Sequence, residues 1–166
     1  MKEHFAILAA YNKWANNLLF EVVLKLNEEE FHRDIKGFFK SVCGTLNHIM
    51  VGDLLWMERL QGGGPKPATL DTVLHTNAVD LWKARQETDE RLIRLVDTLD
   101  PAKYGDILNY KNSRGEVQNT QISHILTHII NHQTHHRGQC HQSLTQLGKE
   151  APSIDLIYYL KSIGKT

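Results

Sequence analysis

The chain has 166 residues, 19 Lys and Arg against 19 Asp and Glu, and no formal net charge with His neutral. That length gives room for a single domain over residues 1–166 with a continuous core. Hydrophobic residues at 41% and charged residues at 23% exclude a disordered chain. The balanced charge offers no footprint for nucleic acid or an anionic membrane surface. Cys43 and Cys140 form no C-x-x-C pair, which suits a reducing compartment rather than a disulfide framework or zinc ribbon. With early charges at Lys2 and Glu3 and no long apolar run, the expected location is the cytoplasm.

Phe5, Leu8, Ala15, Leu19, Val22 and Leu26 recur at helical spacing, predicting a first helix over residues 3–26. Asn27 and the acidic run Glu28 to Glu30 break it, and Phe31 to Gly37 reads as a connection. A second helix is expected from about Phe39 to Leu60, stopped by Gly62-Gly63-Gly64-Pro65. Asp71 or Thr72 can cap a third, carrying Val73, Leu81, Leu92 and Val96 to Leu99. Ile107–Tyr110 and Glu116–Thr120 flank Asn112-Ser113-Arg114-Gly115, the chemistry of a hairpin turn. The helical period returns from Thr120 to Leu147, and a short last helix is expected from Pro152 to Leu160. The prediction is an all-α four-helix bundle with a small β-hairpin between its third and fourth helices and a short C-terminal helix.

The compositional outlier is histidine: ten in all, six of them between residues 124 and 141. At about 100° per residue from His128, the apolar stripe of the fourth helix centres near about 120°, with His136 at about 80° and His132 at about 40°. His124, His128, His135 and His141 point away. An i, i+4 pair of imidazoles can converge on one metal ion, and His132/His136 is the His pair turned toward the core. The rival pairs are His124/His128, His128/His132 and His136/Cys140. A buried imidazole needs partners for both nitrogens, which a metal and one outer acceptor supply. The third ligand stays open among His4, His32, His48, His75 and the carboxylates. His48 lies mid-helix but about 100° from the centre of its apolar face, so a boundary role is as good a reading as a ligand.

Asp53 falls within an apolar stripe, where an ionised carboxylate is costly unless paired. An ion pair or buried hydrogen bond with Arg or Trp is preferred to orienting a ligand imidazole. Trp14 and Trp56 are expected as core filler, with a pocket wall as the alternative. Asn12 and Asn16 are expected on an exposed face, and Arg137 beside an acidic neighbour. Gly138, inside a helix, suggests close approach of another backbone. Cys43 and Cys140 read as inert packing thiols. No G-x-S-x-G, phosphate loop or dinucleotide fingerprint occurs, and no catalytic side chain is assigned.

The run from His128 through Asn131-His132-Gln133-Thr134-His135-His136-Arg137-Gly138-Gln139 resembles the C-terminal signature of the DinB-like family of damage-inducible four-helix-bundle proteins. Tyr11 to Asn16, Leu46 to Ile49 followed by Asp53, Trp56, Arg59 and Leu60, and Tyr110 to Gly115 match in the same order. The resemblance implies a divalent metal, zinc or nickel, held by His48, His132 and His136. It also implies a homodimer and, from some relatives, a metal-dependent transferase acting on a small-molecule substrate with a low-molecular-weight thiol. A coordinated thiol is a stronger acid, so no separate protein nucleophile is needed. The competing readings are a non-enzymatic stress-response protein with a structural or sequestered metal, and a metal-dependent hydrolase. The hydrolase is weaker because no Glu follows the His pair as in a metalloprotease.

Overall fold

A computed structural model describes residues 1–165. Its helices are α1 (Lys2–Val23), α2 (Glu28–His32), α3 (Val42–Gln61), α4 (Ala78–Thr98), α5 (Ile122–Gln146) and α6 (Leu156–Ser162). A 3-10 turn over Pro101–Gly105 leads into β1 (Ile107–Lys111) and β2 (Val117–Gln121). The long helices α1, α3, α4 and α5 form the bundle expected: α3 packs on α5 and on α4, and α1 on α4 and on α5. None of the helices described is long and apolar enough to cross a membrane.

Local chemistry sets most boundaries. Ser41 accepts from the Gly44 amide at 3.1 Å and starts α3 three residues later than its apolar pattern suggests. Gly62, at φ 72°, ends it. The acidic run read as a break instead forms α2, because Asn27 and Glu30 close a reciprocal capping box. The third bundle helix starts at Ala78, capped by Asn77, rather than at Asp71 or Thr72, and Val73 lies exposed outside it. Residues before Asn77 are claimed by α3: Asn47 Oδ1 accepts from the Leu74 and His75 amides at 2.8 and 3.0 Å.

The hairpin pairs Asn109 with Asn119 and Lys111 with Val117. Its turn is fastened by Asn112, whose Oδ1 accepts from the Arg114 and Glu116 amides at 2.9 and 3.0 Å. β2 runs to Gln121, so α5 begins at Ile122 rather than Thr120. The final helix starts at Leu156, not Pro152, and packs on α1, where Tyr11 donates to the Ile154 carbonyl at 2.8 Å.

The apolar core runs through Leu19, Phe20, Ile49, Met57, Leu92, Ile125, Ile129 and Leu144. Crossing it is a polar layer drawn from all four bundle helices. Asp53 Oδ2 accepts from Arg85 Nη1 at 2.5 Å and Gln133 Nε2 at 2.6 Å, so the preferred ion-pair reading of Asp53 holds. Asn16 Nδ2 donates to Asp89 at 3.0 Å, and Arg137 Nη1 donates to Asn12 Oδ1 and, at 3.2 Å, to Gln133 Oε1. Asn12 and Asn16 are therefore buried, contrary to the exposed-face expectation, and Arg137 is held by amides rather than by a direct acidic partner. Opposite charges cancel across this layer, which offsets the cost of desolvating them. Burial pushes the Asp53 carboxyl up to about 6, and the Arg85 guanidinium pulls the other way.

Candidate metal centre

The groove between α3 and α5 brings His48, His132 and His136 together, with one ring nitrogen of each within 4.8 Å of the others. His48 Nε2 is 3.1 Å from His132 Nε2, and the His132 and His136 ring centroids are 4.4 Å apart. His48 and His136 are buried. No carboxylate or thiol joins the cluster among the described residues.

Two of the three imidazoles are turned by outer partners. The Leu70 carbonyl can only accept, so His48 Nδ1 donates to it at 2.7 Å and Nε2 is left as the lone-pair nitrogen. His136 Nδ1 lies 2.8 Å from Gln139 Oε1, while Gln139 Nε2 lies 3.2 Å from His135 Nε2. With Oε1 toward His136, the network makes Nδ1 the donor there as well. Desolvation lowers the pKa of all three: His132 falls to about 3, lowered further by His136, His48 and other nearby histidines, and His48 and His136 shift the same way. At neutral pH the cluster is therefore a set of uncharged nitrogen donors. Three neutral imidazoles with converging ring nitrogens are a donor set that fits a borderline-soft divalent ion such as zinc or nickel.

The walls explain the packing. Phe39 stacks on His48 with ring centroids 3.9 Å apart and meets His136 edge-on at 5.5 Å. Gly52 lets α3 lie against His132: a Cβ there would stand 2.8 Å from His132 Cε1. The close approach foreseen at Gly138 is absent, since a Cβ at that position meets nothing within 4 Å.

The other candidates fall outside the cluster, although the His128 ring lies 5.6 Å from His132 and the His135 ring 4.7 Å from His136. His124, His128 and His135 are exposed. Cys140 is wholly buried in the core with its thiol pushed up to about 12, and burial also raises the Cys43 pKa, so both remain packing thiols. Trp14 packs on Tyr11 and Tyr159, whereas Trp56 stands beside His128 and Tyr110 at the end of the groove. From the sequence, Phe39 marks only a helix start and Gln139 only the end of the resembling run, and Gly52 and Leu70 have no assigned role. A glycine in the middle of a predicted helix and a Gln three residues after His136 were the signals available for two of them.

Fold and cluster together define a four-helix-bundle protein with a three-histidine candidate metal centre. The profile of the DinB family matches residues 1–165, and the chain belongs to that family. It is 28% identical over 160 residues to Protein DinB of Bacillus subtilis strain 168, covering 92% of this chain and 91% of that one. Its fold is similar to the crystal structure of a DinB-like protein from Bacillus cereus ATCC 10987, with a TM-score of 0.69 at 18% identity over 91% of this chain and 95% of the other.

Proposed function

We propose that the chain binds one divalent transition metal, zinc or nickel, through His48, His132 and His136. We further propose that it uses the site to transfer a low-molecular-weight thiol to an electrophilic small molecule. The observation that carries the proposal is a cluster of three neutral imidazoles, two buried and one half-buried, with no fourth protein ligand among the described residues. Three-ligand sites leave room for an exchangeable ligand, whereas structural sites are closed by four.

A bound metal supplies a Lewis acid that lowers the pKa of a thiol coordinated to it. The chain does the rest. Leu70 and Gln139 fix two imidazoles by their Nδ1 atoms, so their donor nitrogens cost little to arrange. Phe39 closes one side of the cluster and excludes water there. With both cysteines buried and protonated, the nucleophilic sulfur comes from the added thiol. A structural or sequestered metal is the competing reading, and a fourth protein ligand would favour it. A homodimer completes the proposal and rests on the family resemblance; sedimentation should show twice 19.0 kDa.

The test is metal analysis of untagged protein, followed by titration of the cobalt-substituted form with small thiols. Near-stoichiometric metal and a sulfur-to-metal charge-transfer band are expected, with faster reaction of thiol and electrophile than without protein. Metal-replete protein that gives no band with any of several biological thiols removes the transfer reading and leaves a structural or sequestered metal.

A further inference from the structure

At the hairpin end of the α3/α5 groove, a cleft of about 530 Å³ lies between the last turns of α3, residues 66–70 and β1. Arg59, Lys66 and Lys111 line it against one carboxylate, Glu58, which faces Lys66 at 3.8 Å. The Arg59 guanidinium is held 4.6 Å from the Trp56 ring centroid and 4.8 Å from that of Tyr110. Its Nη2 donates to the Lys111 carbonyl at 3.2 Å. Neither Arg59 nor Lys111 has a carboxylate within 4.0 Å among the described residues. A half-buried guanidinium, fixed in place and lacking a protein counter-ion, is pre-organised for an oxyanion, whose geometry its planar fork matches.

A chain of ring contacts and a shared loop connect the wall of the cleft to the histidines. The Trp56 ring is 5.2 Å from His128, and His128 is 5.6 Å from His132. Leu70 lines the cleft while its carbonyl holds His48. Arg59 lies seven residues beyond Gly52, which faces His132, a rise of about 10 Å along the helix. We propose that this cleft binds the carboxylate or phosphate end of an anionic small molecule, about 10 Å long, whose other end reaches the three histidines. The inference rests on the reading of those histidines as the reacting centre and adds to it the charge and length of the substrate.

The experiment uses the metal-loaded full chain and two probes without a thiol, glutarate and inorganic phosphate, followed by nuclear magnetic resonance of the Trp56 indole N–H. A saturable shift is expected with at least one probe, spreading to Tyr110 and residues 66–70 and weakening as salt rises. Tighter binding of glutarate assigns a carboxylate, and tighter binding of phosphate a phosphate ester. Arg59→Gln and Lys111→Gln should each weaken binding about tenfold. Lys111 is exposed, so its variant keeps the test open if Arg59→Gln folds poorly.

No saturable shift with either probe, or binding unchanged in both variants, overturns the proposal and leaves Arg59 as a brace between α3 and the hairpin. The thiol reading is scored separately, by the charge-transfer band that 2-mercaptoethanol induces in the cobalt form. Anion binding without that band keeps the cleft and removes thiol transfer; the band without anion binding does the reverse.

Discussion

Two polar clusters meet at the α3/α5 interface, one fully buried and one partly so, and they solve opposite problems. In the core layer, Asp53, Arg85, Asp89, Gln133 and Arg137 are drawn together by complementary roles, donors meeting acceptors and charges cancelling. Beside it, across Gly52, three imidazoles turn ring nitrogens toward one another, and no carboxylate or thiol among the described residues joins them. A cluster of cancelling charges specifies the fold even though Arg85 Nε and Nη2 and Arg137 Nε lack hydrogen-bond partners among the described residues, whereas convergent imidazole nitrogens call for a ligand. Burial alone does not tell the two apart; the mix of charged donors and acceptors in one, and of like imidazole nitrogens in the other, does.

That contrast is broken most forcefully in the core layer. Asp53→Ala leaves Arg85 with one carboxylate partner fewer in a dry interior, and the expected cost is about 3–5 kcal/mol, read by denaturant unfolding of metal-free protein. The metal content of the molecules that remain folded should be unchanged. His48→Ala, His132→Ala and His136→Ala should do the reverse, removing most of the metal while the metal-free protein stays folded by circular dichroism. At free metal of about 100 times the dissociation constant, these variants should lack about 2.7 kcal/mol of stabilisation that the parent gains. His124→Ala, His135→Ala and His141→Ala should retain the metal. Retention in His132→Ala with loss in His128→Ala moves the pair by one turn.

Acid sharpens the comparison. The folded pKa of His132, about 3, lies below its unfolded value near 6.5, so between those limits the unfolded chain binds the extra proton. Its contribution to stability is full above pH of about 6.5 and is lost progressively as pH falls toward about 3. Asp53 acts oppositely, because its folded pKa of about 6 exceeds the unfolded 3.8 and the folded chain takes up the proton first. The pH slope of the parent alone is therefore ambiguous. The expected result is that His132→Gln, metal-free, loses less stability between pH 7 and 5 than the parent, measured by urea midpoints; equal losses refute the burial-driven shift.

Much of the fold was legible because its determinants are local. The hairpin followed from Asn112 and Gly115, the end of α3 from its glycines, and the four long helices from their apolar period. The start of α4 was misplaced because Asp71 and Thr72 have good capping chemistry, but Asn47, far away in sequence, ties down Leu74 and His75. Within the site, periodicity singled out His132 and His136, whereas His48 came only from the resemblance. Its wheel angle misled because α3 is buried around most of its circumference, so a residue far from the apolar centre still lies inside. Asn12 and Asn16 were misplaced for a related reason: a polar core layer has no apolar signature.

The two mid-helix glycines give the finest test, since the sequence pointed to one and the structure gives the role to the other. At Gly52 an alanine Cβ would meet His132 Cε1 at 2.8 Å and Nδ1 at 3.2 Å, so the imidazole or the helix must move. Gly52→Ala should cost about 1–3 kcal/mol in overpacking and weaken metal binding, because the displaced ring is one of the three donors. At Gly138 no atom lies within 4 Å of the added methyl, and the backbone stays within the α5 helix. Gly138→Ala should therefore stabilise the protein by about 0.8–1 kcal/mol through helix propensity, a rise in the unfolding midpoint with metal affinity unaltered. The informative reading is the pair together. Opposite signs on stability, with only Gly52→Ala touching metal binding, place the close helix contact on the α3 side of the histidines. If Gly138→Ala is the destabilising change, a neighbour absent from the isolated chain packs against α5 at that point.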